Sequence, residues 1–196
     1  MRPNRFSLPA LLLSAVTLTA CIEVDMTIDV LGQDQARVSG FMQMNKQMFD
    51  MSGGDTSFCD AEEGGTLTIT DTHARCDFIK EGSFAEVLTR PEDVEGPAEL
   101  QGELVYLDSN RVRAMFPMGA FNEGTAEMAA DPQAEAMMRA MMAGLSITMR
   151  VRGAEVESTT GTLSDDGKSA SVTIGLDDIF DKTRAPITDF ATIVKF

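Results

Sequence analysis

The sequence predicts an α+β domain: a mostly antiparallel sheet built of hairpins, with one long methionine-rich helix and several short helices packed on one face. Three observations predict it. Apolar and polar residues alternate with period two through several separate runs, the pattern of strands with one buried face. Turn residues stand between consecutive runs, as at Gly32-Gln33-Asp34, Asp108-Ser109-Asn110 and Asp165-Asp166-Gly167. Residues 122–144, by contrast, are rich in alanine and methionine and poor in β-branched residues, a composition that favours helix.

Taken in order, Ile22, Val24, Met26, Ile28 and Val30 alternate with Glu23, Asp25, Thr27 and Asp29; after the glycine turn, Ala36, Val38, Gly40, Met42 and Met44 resume the alternation, so 22–44 reads as a hairpin. Asn45 can cap a short helix that runs through Met51 and stops at Gly53-Gly54. Leu67 and Ile69, then Ala74, Cys76 and Phe78, suggest two paired strands. Ser83 with Glu86 three residues on is a capping-box pattern for a short helix that must end near Pro91, and residues 91–98 form an acidic connection. A further hairpin spans 100–116. Within 122–144, Asp131-Pro132 can restart a helix, and Ala134, Met137, Met138, Met141, Met142 and Leu145 fall at helical spacing as one apolar stripe. Residues 145–151 alternate again, a strand follows Gly153-Ala154 to Leu163, and Ala170, Val172, Ile174 and Leu176 make its return strand. A helical turn at 177–181 and a strand at 190–196 complete a sheet of seven to nine strands in a single domain, 21–196.

Ahead of that domain, Arg2 and Arg5 precede an apolar stretch at 6–18, the charged and greasy regions of a secretory signal, too short to span a bilayer stably. Leu18-Thr19-Ala20-Cys21 then matches a bacterial lipobox, which makes residues 1–20 a lipoprotein signal peptide and Cys21 the lipidation site. Two or three acyl chains on one cysteine hold a protein on a membrane effectively permanently. Ile22, rather than an aspartate, follows the cysteine and favours the outer over the inner membrane. The expected location is the cell envelope, facing the periplasm.

Arg2 and Arg5 are the charged residues of the signal, so its removal takes the formal net charge from −15 to −17. So acidic a surface repels phosphate backbones and anionic headgroups, which argues against nucleic acid as a partner and leaves the lipid anchor to hold the protein on its membrane. Cys59 and Cys76 remain in an exported, oxidising setting and are expected to pair. They lack the C-x-x-C spacing of a redox pair and have no histidine cluster beside them.

Catalytic chemistry finds little to work with. His73 is the one histidine, and the chain contains no nucleophile elbow, phosphate-binding loop, H-E-x-x-H or dinucleotide fingerprint. Asp165-Asp166 and Asp177-Asp178 sit at a turn and a helix start, where carboxylates serve as caps. The expectation is a protein without catalytic residues, metal or cofactor. Its unusual feature is fourteen methionines against no tryptophan and one tyrosine. Three readings stay open: flexible thioethers filling a core; Met42, Met44, Met48, Met51, Met137, Met138, Met141 and Met142 lining a deformable apolar cavity for a lipid-like ligand; or soft-metal binding of Cu(I) at M-x-M and M-x-x-M spacing, the least favoured.

The lipobox cysteine, alternating first strand, Gly/Asp turn, second strand and short helix closely resemble the start of LppM-like bacterial lipoproteins. The runs Leu145-Ser146-Ile147-Thr148-Met149-Arg150-Val151 and Gly153-Ala154-Glu155-Val156-Glu157-Ser158-Thr159, with Asp165-Asp166-Gly167 and a final alternating strand, extend the resemblance over most of the mature chain. It implies a non-enzymatic α+β envelope domain that binds lipid or glycolipid in an apolar cavity between helix and sheet. Two departures stand out: no second hydrophobic span near the C-terminus, which many members carry, and no tryptophan in the return strand. No family binding residue maps onto a position here. The alternative is an acidic interaction module for an envelope protein complex, with no small ligand.

Overall fold

In the computed structural model the described residues are 22–61, 64–88, 102–118, 132–181 and 183–196. The expected signal peptide at 1–20, Cys21, the acidic connection expected at 91–98 and the first part of the alanine- and methionine-rich segment lie outside them.

The first hairpin forms as the alternation requires. Strands β1 (Ile22–Gly32) and β2 (Gln35–Asn45) pair antiparallel from Ile22 opposite Met44 to Val30 opposite Ala36. Asp34 completes the turn at φ +53°, a left-handed conformation that aspartate tolerates better than most residues. Asn45 caps α1 (Lys46–Met51) by accepting from the Met48 N–H at 2.7 Å. β3 (Gly65–Ile69) and β4 (His73–Gly82) follow, and Ser83 and Glu86 cap α2 (Phe84–Leu88), the Ser83 N–H donating to Glu86 at 2.8 Å. β5 (Glu103–Asp108) and β6 (Arg111–Phe116) make the next hairpin. After α3 (Pro132–Met141) come β7 (Ser146–Arg152), β8 (Glu155–Thr159), β9 (Thr162–Leu163), β10 (Ser169–Gly175), α4 (Leu176–Phe180) and β11 (Phe190–Lys195).

These strands build two sheets, not one. The larger runs β3-β4-β2-β1-β7-β10-β9 and the smaller β5-β6-β11-β8. β1 lies at the centre of the larger sheet, antiparallel to β2 and parallel to β7. Each inner face contributes its alternate apolar residues to a single core: Ile28, Val30, Ala36, Val38, Met149, Val151 and Ala170 from the larger sheet meet Val112, Ala114, Phe116, Val156, Phe190 and Val194 from the smaller. Phe116 and Phe190 stack at 6.1 Å.

The expected α+β arrangement is therefore overturned: the protein is mostly β, and its described helices are four short ones of five to ten residues. Among the described residues no long methionine-rich helix lies across the sheet. Its expected place is taken by the second sheet, because alternation says which face of a strand is buried but not what buries it. α3 spans ten residues and is fastened at its end to α4, where the Arg139 guanidinium donates to the Phe180 carbonyl at 2.8 Å.

The strand expected from Gly153-Ala154 to Leu163 is in fact two. Here the chain crosses between sheets at glycine corners. A Cβ at Gly153 would lie 2.4 Å from the Lys195 carbonyl oxygen, and one at Gly161 would lie 2.5 Å from the Ser171 oxygen and 2.7 Å from the Phe190 ring. Close backbone approach is what admits only glycine there.

Candidate functional site

The inner face of the larger sheet has two unlike halves. Toward the β1–β2 turn it is closed, with Ile28 1% and Ala36 0% exposed under the smaller sheet. Toward the start of β1 it is only half-covered: Ile22 and Val24 on β1, Met42 and Met44 on β2 and Ile147 on β7 are all half-buried. The register puts Val24 between Met42 and Ile147, so these side chains form one continuous apolar patch.

A short helix and a cross-linked loop sit beside that patch. Cys59 and Cys76 are joined, with Cα atoms 5.4 Å apart across 17 residues. Cys76 is buried and lies opposite Met42, so the bond fixes the loop before β3 close to the methionines of β2. Gly65 allows this, since a Cβ there would lie 2.6 Å from the Asp60 carbonyl oxygen and 3.1 Å from the Cys59 sulfur. Phe49 of α1 is buried and meets the Phe58 ring edge-on at 6.2 Å, which ties α1 to the same loop.

The eight methionines singled out from the sequence do not share one environment, Met48 of α1 being half-buried and Met51 at its end 77% exposed. Met42 and Met44 belong to the half-covered patch. Met138 and Met142 are half-buried near the end of α3, Met137 is 67% exposed, and the side chain of Met141 lies outside the described atoms. The deeply buried methionines are others, Met118 and Met149, at 0% and 7% exposure. Met149 was legible from strand alternation. Met118 follows Pro117 outside any periodic run, so no sequence signal marked it.

The opposite face of the larger sheet is polar and ionic. Arg150 reaches Asp25 at 3.3 Å and the Thr27 hydroxyl at 3.0 Å, Arg152 reaches Asp29 at 3.3 Å, and Arg37 reaches Glu81 at 2.7 Å. Arg75 lies 3.6 Å above the Phe41 ring and forks onto Asp77; its hydrogen bonds hold the Asp77 carboxyl below the ordinary value of 3.8. Pairs as exposed as these contribute about 0–1 kcal/mol each and mainly keep this face wet. His73 opens β4, its ring nitrogen 3.0 Å from Thr72 and 3.2 Å from Thr70. Among the described residues no group of three or more His, Cys, Asp or Glu is placed to hold a metal ion, and no helix is long and apolar enough to cross a membrane.

On the outer face of the smaller sheet, Arg113 Nε is buried without a hydrogen-bond partner, alone in this among buried side-chain polar atoms of the described residues. It stands between Val105 and Ile193 on the flanking strands.

No protein-family model matches the sequence, and no curated protein matches it at a significant level. Among solved structures, the chain is similar to the NMR structure of the folded domain of the Mycobacterium tuberculosis LppM protein. The similarity has a TM-score of 0.48 and 12% sequence identity, and covers 90% of this chain and 91% of that one.

Proposed function

We propose that the protein is a lipid-anchored domain of the bacterial cell envelope, attached through acylated Cys21, that acts by binding a lipid-like or glycolipid molecule rather than by catalysis. The observation that carries the anchor is the lipobox Leu18-Thr19-Ala20-Cys21 directly behind an apolar export segment. Ile22 at the next position favours the outer membrane, with the domain facing the periplasm. Ligand binding is supported by the half-covered patch of Val24, Met42, Met44 and Ile147, whose unbranched thioethers can adapt to acyl chains of variable shape.

Labelled palmitate tests the anchor: it is incorporated into the native chain and lost in Cys21→Ser. Organic extraction and mass spectrometry of the purified protein test the ligand. A chain that yields no lipid beyond its own acyl groups, and gains no thermal stability from added lipids, removes the binding half of the reading. Crosslinking in intact cells to a specific protein, with no bound lipid, favours an interaction module instead.

A further inference from the structure

If Cys21 carries the acyl chains, the fold leaves no slack between anchor and domain. Ile22 is already the first residue of β1, paired with Met44, and Glu23 is paired with Ser146 of β7. One peptide link, about 3.8 Å between Cα atoms, therefore separates the acylated residue from the middle of a seven-stranded sheet. A flexible linker would let the domain drift away from the membrane; a hydrogen-bonded strand does not.

The register identifies what else lies at that end. Ile22 pairs with Met44, Asn45 with His73, Ile69 with Ala74, and Ser146 with both Glu23 and Gly175. The start of β1, helix α1, the β3–β4 turn, the exit from α3 and helix α4 thus crowd one end of the sheet, while the β1–β2 turn and α2 occupy the other. Among the described residues the two most exposed large apolar side chains are Met51, 77% exposed at the end of α1, and Met137, 67% exposed on α3. Ile69, 49% exposed, closes β3 at the same end. Met137 is two residues from Arg139, roughly 200° around the helix, so it faces away from the contact with α4. Among the charges nearby, Lys46 pairs with Asp50, Arg139 with Glu135 and Arg184 with Asp178.

We propose that this end of the domain rests on the bilayer surface, with Met51, Ile69 and Met137 entering the boundary between headgroups and acyl chains and β1 rising away from the membrane. The proposal rests on the lipid anchor proposed above. It commits to a zwitterionic lipid surface, because the acidic chain repels anionic headgroups. Leu31, 42% exposed, is an internal control: nine residues along β1, it stands about 30 Å from Ile22.

The test uses the full lipidated chain in phosphatidylcholine vesicles, with an environment-sensitive fluorophore at Met51→Cys, Met137→Cys or Leu31→Cys. Labels at 51 and 137 are expected to shift blue and be quenched by brominated lipid, while that at 31 stays aqueous. Should a substituted chain misfold, hydroxyl-radical oxidation of the unsubstituted protein gives the same comparison, Met51 and Met137 becoming several-fold less reactive on vesicles relative to Leu31. A protein that floats with the vesicles but leaves 51 and 137 as aqueous as 31 overturns the orientation alone. A protein that neither incorporates palmitate nor floats overturns the anchor, and the orientation with it.

Discussion

Removing the cross-link by Cys59→Ser with Cys76→Ala is expected to destabilise the domain by about 3 kcal/mol, since the bond closes a loop of 17 residues and the loop-closure entropy it removes from the unfolded chain amounts to that much. Alanine is the right replacement at the second site because Cys76 is buried in the sheet, where a serine hydroxyl would need a partner. For a domain of this size the loss corresponds to a fall in melting temperature of about 6–12 °C. Circular dichroism of the oxidised, reduced and substituted proteins measures it, and the reduced native chain is expected to melt like the variant. Because the effect acts on the unfolded state, the urea m-value is expected to rise as the denatured chain expands. A melting temperature unchanged to within about 2 °C, with the same m-value, would show that the loop before β3 is held by its own contacts, such as the Gly65 N–H to Asp60 carbonyl bond, and would refute the entropic argument.

Other outcomes follow from the core and its corners. Met118→Ala is expected to cost about 2–5 kcal/mol and Met137→Ala to stay within about 0.5 kcal/mol, measured by urea unfolding; equal effects would contradict their burial. Gly161→Ala is expected to cost about 1–3 kcal/mol, because its new methyl meets a carbonyl oxygen and the Phe190 ring; an unchanged midpoint would mean the corner can relax. The Gly175 N–H, and secondarily Arg184, hold the Asp178 carboxyl below the ordinary value of 3.8 against the opposing effect of burial. A depressed carboxylate contributes stability that is fully present above its unfolded value and is lost as pH falls through the folded one. Thermal melts from about pH 5 down to about pH 2 are therefore expected to fall less steeply in Asp178→Asn than in the native chain. Arg113→Met is expected to raise stability by about 1 kcal/mol by removing a buried N–H without a partner, and a loss in the urea midpoint would count against that.

Much of the local structure was legible because its causes are local. The first hairpin, the Asn45 cap, the Ser83 and Glu86 capping box and the Asp165-Asp166-Gly167 turn depend on residues within a few positions of one another. The methionines were less legible, since helical spacing at 137–142 is the same whether a stripe is buried or exposed, and only packing separates Met137 from Met138. The division of 154–163 into two strands was hidden for a similar reason: Gly161 marks a corner only because Phe190, far along the chain, packs there.

By itself the sequence determined the acidic composition, the cysteine pairing and nearly every strand, all properties of residue type and short-range periodicity. Tertiary structure alone decided that the strands divide into two sheets, that β1 lies parallel to β7, and that a sheet rather than a helix closes the core over Ile28 and Val30. Alternation makes a face apolar without naming its partner, and which partner covers it is settled only when distant strands compete to bury the same surface.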